Sequence, residues 1–225
     1  MKIDVLTLFP EMFSGFLQES MIAIAQREEK LEVNLINIRD FAFDKHRTAD
    51  DYPYGGGAGM VMKPEPIHEA LKSIDDYENT SLIYFTPQGK LLKQKILSDF
   101  SKKKHVILLC GHYKEIDQRI RDRFVTEEYS IGDYVLSGGE IPAMVFIDAV
   151  SRLQEGVLGD FNSAMTDSHQ NGLLGCPHYT RPYEFLDMKV PDVLISGNHK
   201  KIDEWRSKKS LEITKKNRPD LLNEK

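Results

Sequence analysis

Lys2 to Phe9 alternates apolar and polar residues and is rich in β-formers, so it predicts a strand closed by Pro10. Phe13, Phe16, Leu17, Met21 and Ile24 then form one stripe at helical spacing. Leu31 to Ile38 alternates again as a second strand. Ser81 to Phe85 and His105 to Cys110 are short apolar runs. Each ends at a turn signal, Thr86-Pro87-Gln88-Gly89 after the first and Gly111 after the second. Between them Leu91 to Phe100 reads as a helix. Ile141 to Leu153 is a further apolar helix, with Pro142 suited to its first turn. Strands alternating with helices predict βαβ units and a mostly parallel sheet, hence an α/β domain over residues 1–158.

Beyond it the texture changes. Gly156 to Gly172 holds few large apolar residues and reads as a linker, assigned to 159–174. Residues 175–225 read as a small basic helical domain, with Ile202, Trp205, Leu211 and Ile213 on a charged helix from His199 to Lys216. The chain has 225 residues and a net charge of −5, which taken alone argues against a nucleic-acid partner. The distribution argues the other way. From His199 to Arg218 there are eight basic residues against three acidic, a surplus of five, so the rest carries about −10. Such a tail suits a polyanionic partner, and it equally describes a solvated helix end.

Met1-Lys2-Ile3-Asp4 lacks the basic start and long apolar core of a secretory signal. No apolar stretch approaches the roughly 20 residues that span a bilayer. Cys110 and Cys176 are distant and form no CxxC. The expectation is a cytoplasmic protein without disulfides or a membrane partner.

Tyr54-Gly55-Gly56-Gly57-Ala58-Gly59-Met60 is the densest glycine cluster. It is not a P-loop, because no Lys-Ser/Thr follows. It is not a dinucleotide fingerprint either, because no strand precedes it. A flexible loop is the plain reading, but a long polar loop with Arg39, Asp40, Asp44, Lys45, His46, Arg47, Asp50 and Asp51 before it is more often functional. Three other segments share a form. Tyr84 to Gly89, Gly111 to Tyr113, and Ser130 to Glu140 each follow a strand or lead into a helix, carry glycine and bear tyrosine. Ligands of open α/β sheets sit beyond the carboxyl ends of strands, and these loops suit a flat heteroaromatic ring such as adenine held by backbone bonds. Any one of them could be an ordinary turn. The histidines show no paired ligand spacing, and Ser137 before Gly138-Gly139 is a poor hydrolase elbow, so metal ligation and serine chemistry are not indicated.

Several motifs recur in order nearly end to end. They include Asp4-Val5-Leu6-Thr7-Leu8-Phe9-Pro10, Asp51-Tyr52-Pro53-Tyr54-Gly55-Gly56-Gly57, Ile131-Gly132-Asp133-Tyr134-Val135-Leu136, Gly138-Gly139-Glu140-Ile141-Pro142, Pro177-His178-Tyr179-Thr180-Arg181-Pro182 and Ser196-Gly197-Asn198-His199. In this the chain resembles the bacterial tRNA (guanine-N1)-methyltransferases of the SPOUT superfamily. The resemblance implies a C-terminal trefoil knot in the α/β domain, followed by a small all-helical domain that binds tRNA. It also implies a homodimer with active sites at the subunit interface. S-adenosylmethionine would lie in the knot, its adenine flanked by Tyr84, Thr86 and Pro87. Backbone contacts would come from Gly111, Tyr113, Ser130, Ile131, Gly132, Asp133, Tyr134, Val135 and Leu136, with Gly138, Gly139 and Pro142 shaping the far wall. The implied reaction methylates N1 of the guanosine just 3′ of the anticodon, position 37. Asp167 matches the family's general base, and Arg152 matches the arginine that hydrogen-bonds guanine O6. Some members need Mg²⁺, for which no cage of ligands is evident here. The chain departs from the family's Cys-Gly-Arg/His-Tyr-Glu-Gly-Ile-Asp at Lys114 and Glu115, so the glutamate's role is not carried to position 114. Gly175 stands where an acidic residue is common. The competing readings are a SPOUT enzyme acting on ribose 2′-OH or another base, and a non-catalytic RNA-binding protein.

Overall fold

The computed structural model describes residues 1–157 and 167–223. The chain forms two compact units, Met1–Gly159 and Asp160–Lys225. The boundary at residue 158 and the first part of the expected linker lie outside the described residues.

In the first unit, strands β1 (Lys2–Thr7), β2 (Glu32–Asn37), β5 (Ser81–Leu91), β6 (His105–Leu109) and β8 (Glu127–Ser130) form one sheet in the order β2-β1-β6-β5-β8. Every neighbouring pair is parallel. Two-residue strands β3 (Asp50–Asp51), β4 (Val61–Met62) and β7 (Glu115–Ile116) make a smaller sheet. Helices α1 (Ser14–Gln18), α2 (Ser20–Arg27), α3 (Pro64–Lys72), α4 (Gln94–Phe100), α5 (Gln118–Phe124) and α6 (Glu140–Ser151) complete the unit.

The large sheet is buried on both faces, which is why its inner strands read as continuous apolar runs. Alternate residues serve two cores. Ile3, Val5, Ile83, Phe85, Val106 and Leu108 pack with Phe13, Phe100 and Phe146, on the side of α2, α4 and α6. Leu6, Leu82, Tyr84, Ile107 and Leu109 pack with Met62, Ile67, Leu71 and Ile120, on the side of α3 and α5.

Three elements depart from the pattern-based expectation. The first helical stripe is split: Glu19 is extended and Ser20 has φ +55°, so α1 and α2 are separate. Gln26 Nε2 donates to Leu17 O at 2.7 Å, satisfying a carbonyl that the break frees. The strand after Ser81 does not stop at Thr86. Lys90 and Leu91 pair with Tyr129 and Ser130 after a register shift, and Leu92 N donates to Ser130 O at 2.8 Å, so α4 starts only at Gln94. Helix α6 begins at Glu140, two residues before Pro142, whose missing N–H falls among the orphan donors of the first turn.

The second unit is not all-helical. Glu184–Phe185 and Met188–Lys189 form an antiparallel hairpin. Leu186 (φ +49°) and Asp187 (φ +60°) both take the left-handed conformation that a two-residue hairpin turn requires. Neither is glycine or asparagine, so the sequence carries no standard hairpin signal there. The basic helix runs His199–Asn217, and Asn198 caps it by accepting from Lys201 N at 3.2 Å. Residues 167–174, read from sequence as the end of a linker, are hydrogen-bonded within this unit. His169 N donates to Leu173 O at 2.8 Å, and Leu174 N donates to the buried Thr214 Oγ1 at 2.9 Å. Among the described residues no helix is long and apolar enough to cross a membrane.

Phe146 is fully buried and meets Phe100 and Phe85 edge-on, with ring centroids 5.3 and 6.1 Å away. Phe146→Ala should cost about 3–5 kcal/mol of stability, read by urea unfolding. A loss under about 1 kcal/mol would show that this aromatic cluster does not organise the core.

Candidate active site

Strands β6, β5 and β8 are adjacent, so the loops leaving β6 and β8 and the Thr86–Gly89 loop at the register shift within β5 meet over one edge of the sheet. They line one cleft, placed where the ligand sites of open α/β sheets lie. Backbone closeness builds it. A Cβ on Gly89 would stand 2.5 Å from Tyr129 N, so the first loop lies directly on β8. A Cβ on Gly111 would stand 2.7 Å from the Tyr84 hydroxyl. Gly139 N donates to Gly111 O at 2.8 Å, and His112 pairs with Gly138 in an isolated bridge, joining the second loop to the third. Within the third loop, Ser130 Oγ bonds Gly132 O at 3.0 Å, and Tyr134 donates to Ile131 O at 3.2 Å.

Every residue expected at a cofactor pocket lines this cleft except Asp133. Asp133 is exposed at the tip of the third loop, where its charge stays hydrated. Phe85, His112, Lys114, Glu115, Tyr129 and Ser137 also line the cleft. Phe85, His112 and Ser137 fall within the segments read from sequence as pocket loops, Lys114 and Glu115 follow one, and Tyr129 precedes one. Phe85 and Tyr129 sit at strand ends and resemble core residues in sequence. Glu115 lies on β7, a two-residue strand with no periodic signal.

The walls combine tyrosine, leucine, proline and exposed backbone polar groups. Lys114 brings an ammonium-bearing side chain. Burial first, and then its bond to Glu115, raise the Tyr84 phenol pKa. At the end of β6, burial and then Glu140 push the Cys110 thiol up, which keeps it an inert neutral group. Glu140 is itself buried and accepts a 2.9 Å bond from Thr7 Oγ1, tying the first turn of α6 to β1.

The two expected catalytic residues fall in different units. Arg152 is exposed and closes α6, its N–H donating to Asp148 O at 3.2 Å. Asp167 is exposed and opens the described part of the second unit. The glycine cluster at 55–59 does not line the cleft. Gly55, Gly56, Gly57 and Gly59 all have positive φ, and a Cβ on Gly59 would touch Lys114 at 3.4 Å, so the loop borders the rim. Among the described residues no group of three or more His, Cys, Asp or Glu side chains could hold a metal ion.

A family model described as tRNA (Guanine-1)-methyltransferase TrmD matches residues 1–224. The chain belongs to this family. It is 55% identical over 224 residues to the tRNA (guanine-N(1)-)-methyltransferase of Anoxybacillus flavithermus, covering 99% of this chain and 91% of that protein. It is 53% identical over 225 residues to the enzyme of that name from Ruminiclostridium cellulolyticum, covering 99% and 97%. The Bacillus cereus AH820 protein of the same name is 51% identical over 227 residues, covering 100% and 93%.

The Tyr84 phenol generates a pH prediction. The folded protein keeps a proton that the unfolded chain releases near pH 10.0. Its contribution is therefore fully present below that pH and declines as pH rises beyond it. Stability measured across the alkaline range should fall less steeply in Tyr84→Phe than in the parent. An identical slope would show that Tyr84 ionises normally in the folded state.

Proposed function

We propose that this protein is a tRNA (guanine-N1)-methyltransferase that acts on guanosine 37, with S-adenosylmethionine as donor. The single observation that carries the reading is the cleft at three adjacent strand ends, in a chain that matches this family from residue 1 to 224. The cleft fits the donor. Its floor is backbone at Gly111 and Gly139, where a Cβ would collide with Tyr84 or Cys110, and its sides are aromatic and aliphatic. Tyr84, Thr86 and Pro87 would hold the adenine, the third loop would supply backbone hydrogen bonds, and Gly138, Gly139 and Pro142 would form the far wall. On this reading the three loops are those of a trefoil knot. S-adenosylmethionine supplies a methyl group already activated as a sulfonium, so orientation and deprotonation are left to the protein.

Guanine N1 carries a proton at neutral pH and attacks only once that proton is removed. Asp167 takes it, freeing the N1 electron pair to attack the methyl carbon. The bond from that carbon to sulfur breaks, its electron pair passing to the sulfur as the neutral thioether leaves. Arg152 donates hydrogen bonds to O6, where charge grows as N1 loses its proton. The target base must leave its stack to reach the cleft. The basic helix His199–Asn217 supplies phosphate contacts to the tRNA. As the family resemblance implies, the enzyme would act as a homodimer whose active sites lie between subunits. The setting is cytoplasmic, and any Mg²⁺ requirement has no assigned site.

The test is transfer of labelled methyl to unmodified tRNA bearing guanosine at position 37. Label at N1 of that base is expected. Label on ribose or another base would reject the substrate assignment, and no transfer with no donor binding would favour a non-catalytic RNA-binding protein. Asp167→Asn should lower turnover about 10²–10⁴-fold while leaving donor affinity unchanged. Loss of both together would make Asp167 structural.

A further inference from the structure

Arg121, on α5, has no role in the proposed chemistry and does not line the cleft, yet its side chain is only 8% exposed. A buried guanidinium is costly unless every donor is matched. Here the partners lie on the stems of all three cleft loops. Nε and Nη2 each donate to Glu128 at 2.9 Å, two residues before the third loop leaves at Ser130. Nη2 also donates to Gln88 Oε1 at 3.1 Å, inside the first loop. Nη1 donates to Glu115 at 3.3 Å, just past the second loop. Glu115 in turn accepts from the Tyr84 phenol and, at 3.2 Å, from Ile116 N. The guanidinium carbon stands 5.6 Å from the centre of the Tyr84 ring.

One planar cation thus sits behind the cleft and fastens its three loops from outside. Two carboxylates and a phenol converge there and would repel or go unpaired without it. Lysine could supply the charge but not a fork that serves three acceptors in one plane.

We propose that Arg121 is a positioning residue for the methyl donor: through Gln88, Glu115 and Glu128 it sets the spacing of the three cleft loops before the donor arrives. This rests on the donor-binding reading of the cleft. Preorganisation of this kind raises affinity by removing the cost of ordering loops on binding.

Arg121→Met keeps the side chain's apolar length and removes the fork. Three measurements on the full chain decide the matter. Amide exchange of the unliganded variant should rise in loops 86–89, 111–115 and 130–138 together, with β1 and β2 unchanged. Affinity for S-adenosylmethionine by calorimetry should fall about 10- to 100-fold, as for loss of charge-assisted hydrogen bonds. Turnover at saturating donor and the KM for tRNA should stay within about threefold of the parent. Arg121→Lys should fall between parent and Arg121→Met. If Arg121→Met does not fold, Glu128→Gln removes the bidentate charge partner at constant volume and should change exchange and affinity in the same direction. A folded variant with parental donor affinity overturns the proposal. So does exchange that rises over the whole sheet as much as in the loops, which would make Arg121 a general stabiliser. If the parent itself binds no donor, the donor-binding reading fails separately, and the loop exchange still decides whether Arg121 is a clamp.

Discussion

Two backbones approach at Gly139 more closely than any side chain permits. A Cβ there would lie 2.7 Å from Cys110 Cα, and the Gly139 amide donates to Gly111 O at 2.8 Å. That contact fixes where the third loop returns to the end of β6, and α6 begins one residue later. Because α6 starts there, Glu140 reaches Thr7 on β1, and Phe146 lands between Phe85 and Phe100. The far wall of the cleft and the position of the main core helix therefore have one cause. Replacing this glycine would force the loop off the strand end or the helix off the sheet, and neither can move alone.

Most of the carboxylates around the cleft are paired with other protein groups. Glu140 is spent on Thr7, and Cys110 keeps its proton because burial and Glu140 both disfavour a thiolate. Glu115, which also lines the cleft, and Glu128 both pair with Arg121. What remains to meet a ligand is backbone, aromatic edge, aliphatic surface and the Lys114 side chain. Such a lining recognises a flat ring by shape and hydrogen bonds.

Much of this was legible in the residues, for identifiable reasons. The runs Lys2–Phe9 and His105–Cys110 announce strands because a sheet covered on both faces needs apolar residues on both. The loops at Gly111 and at Gly138-Gly139 announce themselves because only glycine tolerates the close approach. The continuation of β5 past Pro87 was not legible. Pro87 and Gly89 carry turn chemistry, and only pairing with β8 after the register shift overrides it. The Leu186-Asp187 turn was hidden because its residues adopt positive φ without the usual glycine or asparagine. Phe85 and Tyr129 look like core, and Arg121 looks like any solvated helix charge until three strands converge on it. Asp167 and Arg152 carry no local signal of catalysis. Their assignment rests on family resemblance, and the fold adds only that they belong to different units.

That division has a chemical consequence on the proposed reading. Asp167 is exposed in its own unit, and the cleft belongs to the other. A general base works only within hydrogen-bond reach of the proton it removes, so on this reading Asp167 acts only once the guanine is bound against it. Methyl transfer then depends on the tRNA as well as on the donor.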